Sequence, residues 1–383
     1  MGRTRAREWG LVTGILPPGP LDAITDVAGV AVGHATLWWG HGPLVEGQGP
    51  VRTGVTVVLP HAGNLYLEKV PAAQFTFNGY GKATGLAQID ETGTLEGPIA
   101  LTSTLCVPRV ADALVAVALE RNPGIGTELG TYNPVVAEIH DGFLNDARGR
   151  HVGERHVREA LAAASTGPVA EGCVGAGTGA VAFGWKAGVG TASRVLPRRF
   201  GGWTVGSLVV ANFSGVLTVQ GRAVGPALGR LPLGLEPHEL AQAPGRGGAG
   251  GDGPEGEGGS VVVVLATDAP LLHRSLARLA RRAVVGLART GFFGTHTSGD
   301  FVIAFSTALR IPHAARLPDG QGPLTLEGLS EVRNEAMSAL FLAAAEATEE
   351  AVFNSLFKAV SVEGRDGHRA EALDLEALRA VLG

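Results

Sequence analysis

Ser260 is the residue whose surroundings best suit nucleophilic chemistry. It follows Gly259, the last residue of the glycine-rich stretch 244–259, and begins the aliphatic segment SVVVVLATD. Its hydroxyl could attack the Gly259 carbonyl, and hydrolysis of the resulting ester would leave a chain that begins with serine. The new α-amine, with a pKa near 7.7–8.0, could then serve as the base for that hydroxyl. The local sequence alone favours a plainer interpretation, in which Ser260 begins a strand after a flexible insertion.

Short β-branched segments bounded by glycine recur along the chain and predict strands. These segments are GVAVGHATL from Gly29, TGVTVVLP from Thr53, IALTSTL from Ile99, VGSLVVANF from Val205, SVVVVLATD from Ser260 and DFVIAFSTA from Asp300. Several of them are apolar on both faces, which favours sheets that are covered on both sides. The sequence therefore predicts a mixed α/β sandwich.

Alanine- and leucine-rich stretches between these strands have helical spacing and predict helices over 110–120, 157–164 and 269–290. For the last of these, Asp268 is a candidate N-cap, Pro270 suits the first turn and Gly291 follows the end. The prediction is a helix that begins immediately after the Ser260 strand.

Eight segments, in one order along almost the whole chain, resemble the L-aminopeptidase/D-esterases and β-peptidyl aminopeptidases of peptidase family S58. The segments are ITDVAGVAVGHATL, VRTGVTVVLPHAGNLYLEKVPAA, PVVAEIHDGFLND, EGCVGAGTGAVAFGWKAGVGTASRVLP, VGSLVVANFSG, GGSVVVVLATDAPL, TSGDFVIAFSTA and EATEEAVFNSL. So many ordered matches make the resemblance specific.

The resemblance implies a single domain, residues 1–383, with a four-layer αββα sandwich similar in layering to N-terminal nucleophile hydrolases but different in connectivity. It also implies self-cleavage between Gly259 and Ser260, giving an α chain of residues 1–259 and a β chain of residues 260–383. Ser260 would then be the nucleophile of an acyl transfer that releases the N-terminal residue of a short peptide, amide or ester.

Three further catalytic residues are implied by the resemblance. Asn212, in VVANFSG, matches an asparagine that stabilises the oxyanion. A pre-aimed amide donor of this kind contributes roughly 3 kcal/mol to transition-state stabilisation. Ser298 and Asp300, in TSGD, match a serine and an acidic residue that orient or polarise the nucleophile. The family has glutamate where this chain has the shorter Asp300.

Two residues of PVVAEIHDG are implied to bind substrate. Glu138 matches the acidic residue that holds the free ammonium group of the substrate, although a structural salt bridge would explain a buried glutamate equally well. His140 stands where some members have a tyrosine that helps the oxyanion. An imidazole can also donate a hydrogen bond, but it titrates near neutral pH.

Composition limits the partners of the protein. The 31 basic and 36 acidic residues leave a formal charge of −5, which gives no electrostatic footprint for nucleic acid or an anionic membrane. Cys106 and Cys173 are predicted to be unpaired in a reducing compartment. The N-terminal apolar stretch is too short and broken for a secretory signal, so we expect a cytoplasmic protein.

The chain has no HExxH, paired CxxC or GxSxG motif, and the sequence predicts neither a metal nor a cofactor. The resemblance suggests a homo-oligomer, a tetramer of processed αβ pairs. Two other functions stay open: a non-catalytic binding or assembly scaffold, and an acyltransferase of the ornithine acetyltransferase-like fold, which uses a threonine nucleophile. The preference among L-, D- and β-residues is also open.

Overall fold

Two β-sheets that pack face to face form the centre of the molecule, and helices cover the outer face of each sheet. The computed structural model describes residues 3–236, 239, 258–313, 326 and 328–383. One sheet has five strands and the other has seven.

The strands of these two sheets, in chain order, are β1 (Ala31–Trp39), β2 (Val51–Leu59), β3 (Glu68–Gly79), β4 (Ala83–Thr84), β5 (Thr94–Leu95), β6 (Ile99–Ser103), β7 (Val135–Ile139), β8 (Val189–Val195), β9 (Thr204–Asn212), β10 (Gly258–Thr267), β11 (Thr297–Ser306) and β12 (Ile311–Pro312). The five-stranded sheet has the order β1-β2-β6-β7-β4. The seven-stranded sheet has the order β8-β9-β10-β11-β3-β12, with β5 beside β3.

Two pairs of neighbouring strands, β6 with β7 and β10 with β11, are parallel, and the other pairs within both sheets are antiparallel. Short two-stranded ribbons lie outside the sheets: Val181–Ala182 with Trp185–Lys186, Thr218–Val219 with Arg222–Ala223, and Val362–Glu363 with Arg369–Ala370.

The α-helices of the described residues are α1 (Ala6–Trp9), α2 (Leu86–Thr92), α3 (Val107–Arg121), α4 (Glu154–Ala162), α5 (Val224–Ala227), α6 (His273–Arg289), α7 (Met337–Phe357) and α8 (Leu375–Leu382). In this part of the chain, no helix combines the length and apolar character needed to cross a membrane.

Three hydrophobic clusters define four layers. Side chains from both sheets, among them Ile99 and Val262, fill the space between the sheets. A second cluster lies between the five-stranded sheet and helices α3 and α4. A third lies between the seven-stranded sheet and helices α6 and α7. The αββα sandwich implied by the resemblance is confirmed.

The aliphatic residues of β10 alternate between two of these clusters. Val261, Val263 and Leu265 pack on the helix side, whereas Val262 and Val264 pack between the sheets. Because successive side chains of a strand point to opposite faces, both faces of this strand need apolar residues. The alternation also directs the side chain of Ser260 into the space between the sheets.

Two expectations about the ends of elements are corrected. Strand β10 begins at Gly258, so the last two residues of the predicted glycine-rich loop belong to the strand, where they pair with β11. Residues 244–257 lie outside the described residues. Helix α6 begins at His273, and the Asp268 carboxylate accepts a hydrogen bond from the backbone of Thr204 instead of capping the helix.

A buried ionic cluster joins the N-terminal segment to helix α7. The Arg194 guanidinium lies 2.5 Å from the Glu350 carboxylate and 3.6 Å from that of Asp22. Arg7 also pairs with Glu350, at 2.6 Å. Burial, together with the negative charge of Glu350, raises the pKa of Asp22 to about 6. The interior therefore depends on Arg194 to balance its carboxylates.

Candidate active site

The Ser260 hydroxyl lies between the two sheets, where it meets two hydrogen-bond donors. The backbone N–H of His140, just after β7, donates to Ser260 Oγ at 2.9 Å. The side-chain amide of Asn212, at the end of β9, lies at 3.3 Å from the same atom. Ser260 itself is fully buried. Donors placed in this way stabilise negative charge that develops on the hydroxyl oxygen.

A backbone contact fixes the orientation of the Asn212 amide. Asn212 Oδ1 accepts a hydrogen bond of 2.9 Å from the backbone N–H of Val181. The Nδ2 atom is therefore turned toward Ser260 and also donates to the His140 carbonyl oxygen at 3.1 Å. Strand pairing places Asn212 directly opposite Ser260. The donor expected from the sequence is thus held ready by its neighbours.

His140 contributes to this arrangement through its backbone. Its side chain is exposed, and the ring lies close to Gly142. The resemblance implies a role for the imidazole, whereas the observed contact with the nucleophile comes from the peptide N–H.

Ser298 and Asp300 form a pair on the neighbouring strand β11. The Ser298 hydroxyl donates to Asp300 Oδ1 at 2.5 Å, so the shorter aspartate reaches the serine. Both side chains are buried, and Asp300 Oδ2 has no hydrogen-bond partner. Burial raises the pKa of Asp300 to about 6, although the hydrogen bonds from Ser298 and the backbone of Val261 oppose this shift.

The Ser298–Asp300 pair lies beside Gly259, the residue before the nucleophile. Gly259 is paired with Ser298 in the parallel ladder, and Ser260 is paired with Gly299. A β-carbon at Gly259 would lie 3.3 Å from Ser298 Oγ and 3.2 Å from the Phe213 Cα. Glycine is thus the residue that fits this crowded position without a shift of its neighbours.

Glu138 provides a buried negative charge near the nucleophile strand. Its side chain is almost fully buried, and its Oε2 atom has no hydrogen-bond partner. The Lys82 ammonium lies 3.5 Å from that atom. The backbones of Gly81 and Gly299 approach closely around the carboxylate, and a β-carbon at Gly81 would lie 2.5 Å from Glu138 Oε1. The Oε1 side of the carboxylate is thus packed against backbone that has no room for a β-carbon at Gly81 or Gly299, whereas Oε2 faces the half-exposed Lys82.

Asp141 anchors the turn that carries the His140 N–H. Its buried carboxylate accepts hydrogen bonds from Thr53 at 2.6 Å, from Ser103 at 2.8 Å and from Asn145 at 3.0 Å. Burial raises the pKa of Asp141, and these three hydrogen bonds oppose the shift. Strands β2 and β6 therefore hold the residue that follows His140.

The comparisons with known proteins agree with this architecture. The model of peptidase family S58 matches residues 22–370. The chain belongs to peptidase family S58.

Individual relatives match this S58 chain over nearly its whole length. The β-peptidyl aminopeptidase BapA of Sphingosinicella microcystinivorans is 42% identical over 99% of this chain and 91% of its own length. Among solved structures, a Burkholderia sp. β-aminopeptidase superposes with a TM-score of 0.86 at 44% identity, covering 99% of both chains. The L-aminopeptidase D-Ala-esterase/amidase of Ochrobactrum anthropi, described as a variant of the Ntn hydrolase fold, gives a TM-score of 0.82 at 38% identity over 99% of this chain and 98% of its own.

The S58 chain is therefore an aminopeptidase, a hydrolase of the serine and N-terminal nucleophile type that acts on peptide or amide substrates. Its structure brings Ser260, Asn212 and the His140 backbone into contact. It places the Ser298–Asp300 pair next to Gly259, and it places Glu138 next to Gly299.

Sequence reasoning missed Asp141 and Lys82 in this S58 aminopeptidase. Asp141 stands two residues after Ile139, the last residue of β7, in the segment EIHDG. Its position directly after the candidate site residue His140 was a signal that could have been used. The role of Lys82 depends on the pairing of β4 with β7, which no local pattern indicates.

Proposed function

We propose that this chain is a self-processing serine aminopeptidase that cuts its own Gly259–Ser260 bond and then releases N-terminal residues from short peptides, amides or esters. The observation that carries the proposal is the convergence of the His140 N–H and the Asn212 amide on the hydroxyl of Ser260. Since Ser260 is fully buried in the uncut chain, cleavage is also the step that opens the nucleophile to substrate.

Processing begins when Ser260 Oγ attacks the Gly259 carbonyl carbon and the Gly259–Ser260 C–N bond breaks. The hydroxyl proton passes to the departing nitrogen, which becomes the α-amine of Ser260, and an ester links Gly259 to Oγ. Water then hydrolyses the ester and leaves a carboxylate on Gly259 and a free hydroxyl on Ser260. The two donors on Oγ favour the start of this step because they stabilise the alkoxide that forms as the hydroxyl loses its proton.

In the processed enzyme, the new α-amine would be the nitrogen that follows Gly259, the residue paired with Ser298 on β11. We propose that this amine takes the proton of Oγ when Ser260 attacks substrate, and that the Ser298 hydroxyl and the unpartnered Asp300 Oδ2 stabilise the resulting ammonium. The acyl-enzyme then releases the N-terminal residue on attack by water, and Asn212 stabilises the oxyanion in both steps.

Glu138 is proposed to bind the free ammonium of the substrate, which restricts the enzyme to the first residue of a chain. A buried carboxylate needs a cation nearby, and here that cation is the half-exposed Lys82 ammonium, 3.5 Å from Glu138 Oε2, which a substrate ammonium can replace. The β-peptidyl and β-aminopeptidase relatives support extending the proposed substrates to N-terminal β-amino acid residues. The tetramer of processed pairs and the cytoplasmic location stay predictions.

Hydrolysis of matched alanine p-nitroanilides with a free or an acetylated amino group tests this function. The wild type should release p-nitroaniline from the free amine alone, and Ser260→Ala should release none. Glu138→Gln should raise KM for the free amine at least about tenfold, because the charged partner of the ammonium is lost. Equal hydrolysis of the acetylated anilide by the wild type would contradict the proposed role of Glu138.

A further inference from the structure

The Lys82 ammonium occupies the approach to Glu138. Lys82 immediately precedes β4, whose first residue, Ala83, is paired with Ala137 of the antiparallel strand β7. Continuing this register by one residue sets Lys82 opposite Glu138, and directly opposite side chains share one face of a sheet. The Lys82 ammonium is 3.5 Å from Glu138 Oε2, the carboxylate atom that has no hydrogen bond.

The two partners of this ion pair differ in their freedom to move. The Glu138 side chain is 4% exposed and enclosed by the backbones of Gly81 and Gly299, whereas the Lys82 side chain is 51% exposed. Lysine is a compact charge on a flexible stem, so it can leave the carboxylate for solvent without disturbing the fold. A substrate ammonium that binds Glu138 Oε2 must displace Lys82, which stays tethered next to the bound substrate.

Displacement has a different consequence for neutral and acidic substrates. Before binding, the charges of Lys82 and Glu138 balance, and a substrate that brings only an ammonium leaves one uncompensated positive charge near the carboxylate. A substrate whose first residue also carries a carboxylate restores the balance, because the displaced Lys82 then has a new partner.

We propose that Lys82 makes this enzyme selective for substrates whose N-terminal residue carries a side-chain carboxylate. This inference rests on the proposed function, in which Glu138 binds the substrate ammonium. Lys82 pairs with the acidic side chain of the first residue while Glu138 pairs with its amino group. Lys82 and Glu138 thus bind, respectively, the negative and the positive group of one substrate residue.

The test compares the p-nitroanilides of glutamate and glutamine, which have nearly the same shape and differ in charge. For the wild type, kcat/KM should be about fivefold to tenfold higher for the glutamate anilide, as expected for one partly exposed charge pair. Lys82→Met should remove this preference and lower KM for the glutamine anilide, because the competing cation is gone. Lys82→Arg, which keeps the charge, should retain the preference.

An equal kcat/KM for the two anilides in the wild type would overturn the inference, as would an unchanged preference in Lys82→Met with the same unfolding midpoint as the wild type. In both of these cases hydrolysis of the glutamine anilide still supports the proposed function. If the wild type hydrolyses neither of them nor any other free-amine anilide, the proposed function fails and the inference falls with it.

Discussion

Asp300→Asn should stabilise the folded chain at neutral pH while it impairs catalysis. The Asp300 carboxyl is buried, and its Oδ2 atom has no hydrogen-bond partner. Burial raises the pKa of this carboxyl to about 6 from an ordinary value of 3.8, so the folded chain resists its ionisation. Asparagine has almost the same shape and cannot ionise, and the substitution therefore removes this penalty.

The sign and size of the effect follow from proton linkage. Below pH 3.8 the carboxyl is protonated in both the folded and the unfolded chain. As the pH rises from 3.8 to about 6, the unfolded chain loses its proton first, so the free energy of unfolding falls. The total fall is about 3 kcal/mol for a pKa difference of about two units. The part of this fall in the free energy of unfolding that occurs between pH 4 and pH 7.5 is about 2 kcal/mol.

The measurement is urea unfolding of two uncut chains, Ser260→Ala and Ser260→Ala/Asp300→Asn, at pH 4 and pH 7.5. The Ser260→Ala background keeps a single chain in both samples, and the other titrating groups are common to both. The asparagine chain should gain about 2 kcal/mol over its parent as the pH is raised. Any change in the hydrogen bond to Ser298 shifts the free energy of unfolding by the same amount at both pH values. A difference in the free energy of unfolding between the two chains that is the same at both pH values would contradict the raised pKa of Asp300.

Other substitutions test the supporting structure. Asp141→Asn should lower kcat roughly tenfold to hundredfold with a much smaller change in KM, because it loosens the turn that aims a backbone donor at the nucleophile; an equal change in KM would contradict a positioning role. Gly81→Ala should raise KM for free-amine anilides at least about tenfold, because the new methyl group would displace the Glu138 carboxylate. Gly167→Ala, where a β-carbon meets no atom closer than 3.9 Å, is the matched control, and equal KM values for the two variants would count against the packing of Glu138 on Gly81. Arg194→Met should lower the free energy of unfolding of the uncut chain by about 3–5 kcal/mol, since it leaves buried carboxylates unpaired; a loss below about 1 kcal/mol in urea unfolding would argue against the ionic cluster.

The strands could be predicted from the sequence because their composition reports burial on both faces. SVVVVLATD lies within β10 except for its last residue, Asp268, and DFVIAFSTA overlaps β11. The ends of elements were harder to predict. The start of α6 at His273 depends on the path between the sheet and the helix layer, and Asp268 instead bonds the neighbouring strand β9. A local capping pattern cannot indicate which of two partners an aspartate will contact.

The candidate site was predictable where a side chain in a recognisable segment contacts Ser260, as the Asn212 amide does. It was not predictable where the contact comes from the backbone or from pairing between distant strands. The His140 peptide N–H donates to Ser260, 120 residues away, whatever side chain His140 carries. Lys82 meets Glu138 only because β4 lies beside β7. Such contacts depend on which distant strands lie side by side, and no single segment of the sequence specifies that arrangement.

Self-cleavage between Gly259 and Ser260 is tested by intact mass combined with N-terminal sequencing of the protein expressed with all 383 residues. Self-processing should give two fragments, residues 1–259 and 260–383, the smaller of which begins Ser-Val-Val-Val-Val. The same measurement on Ser260→Ala should give one chain. A single wild-type chain near 39.2 kDa, or a cut at any other bond, would contradict the assignment of Ser260 as a processed N-terminal nucleophile.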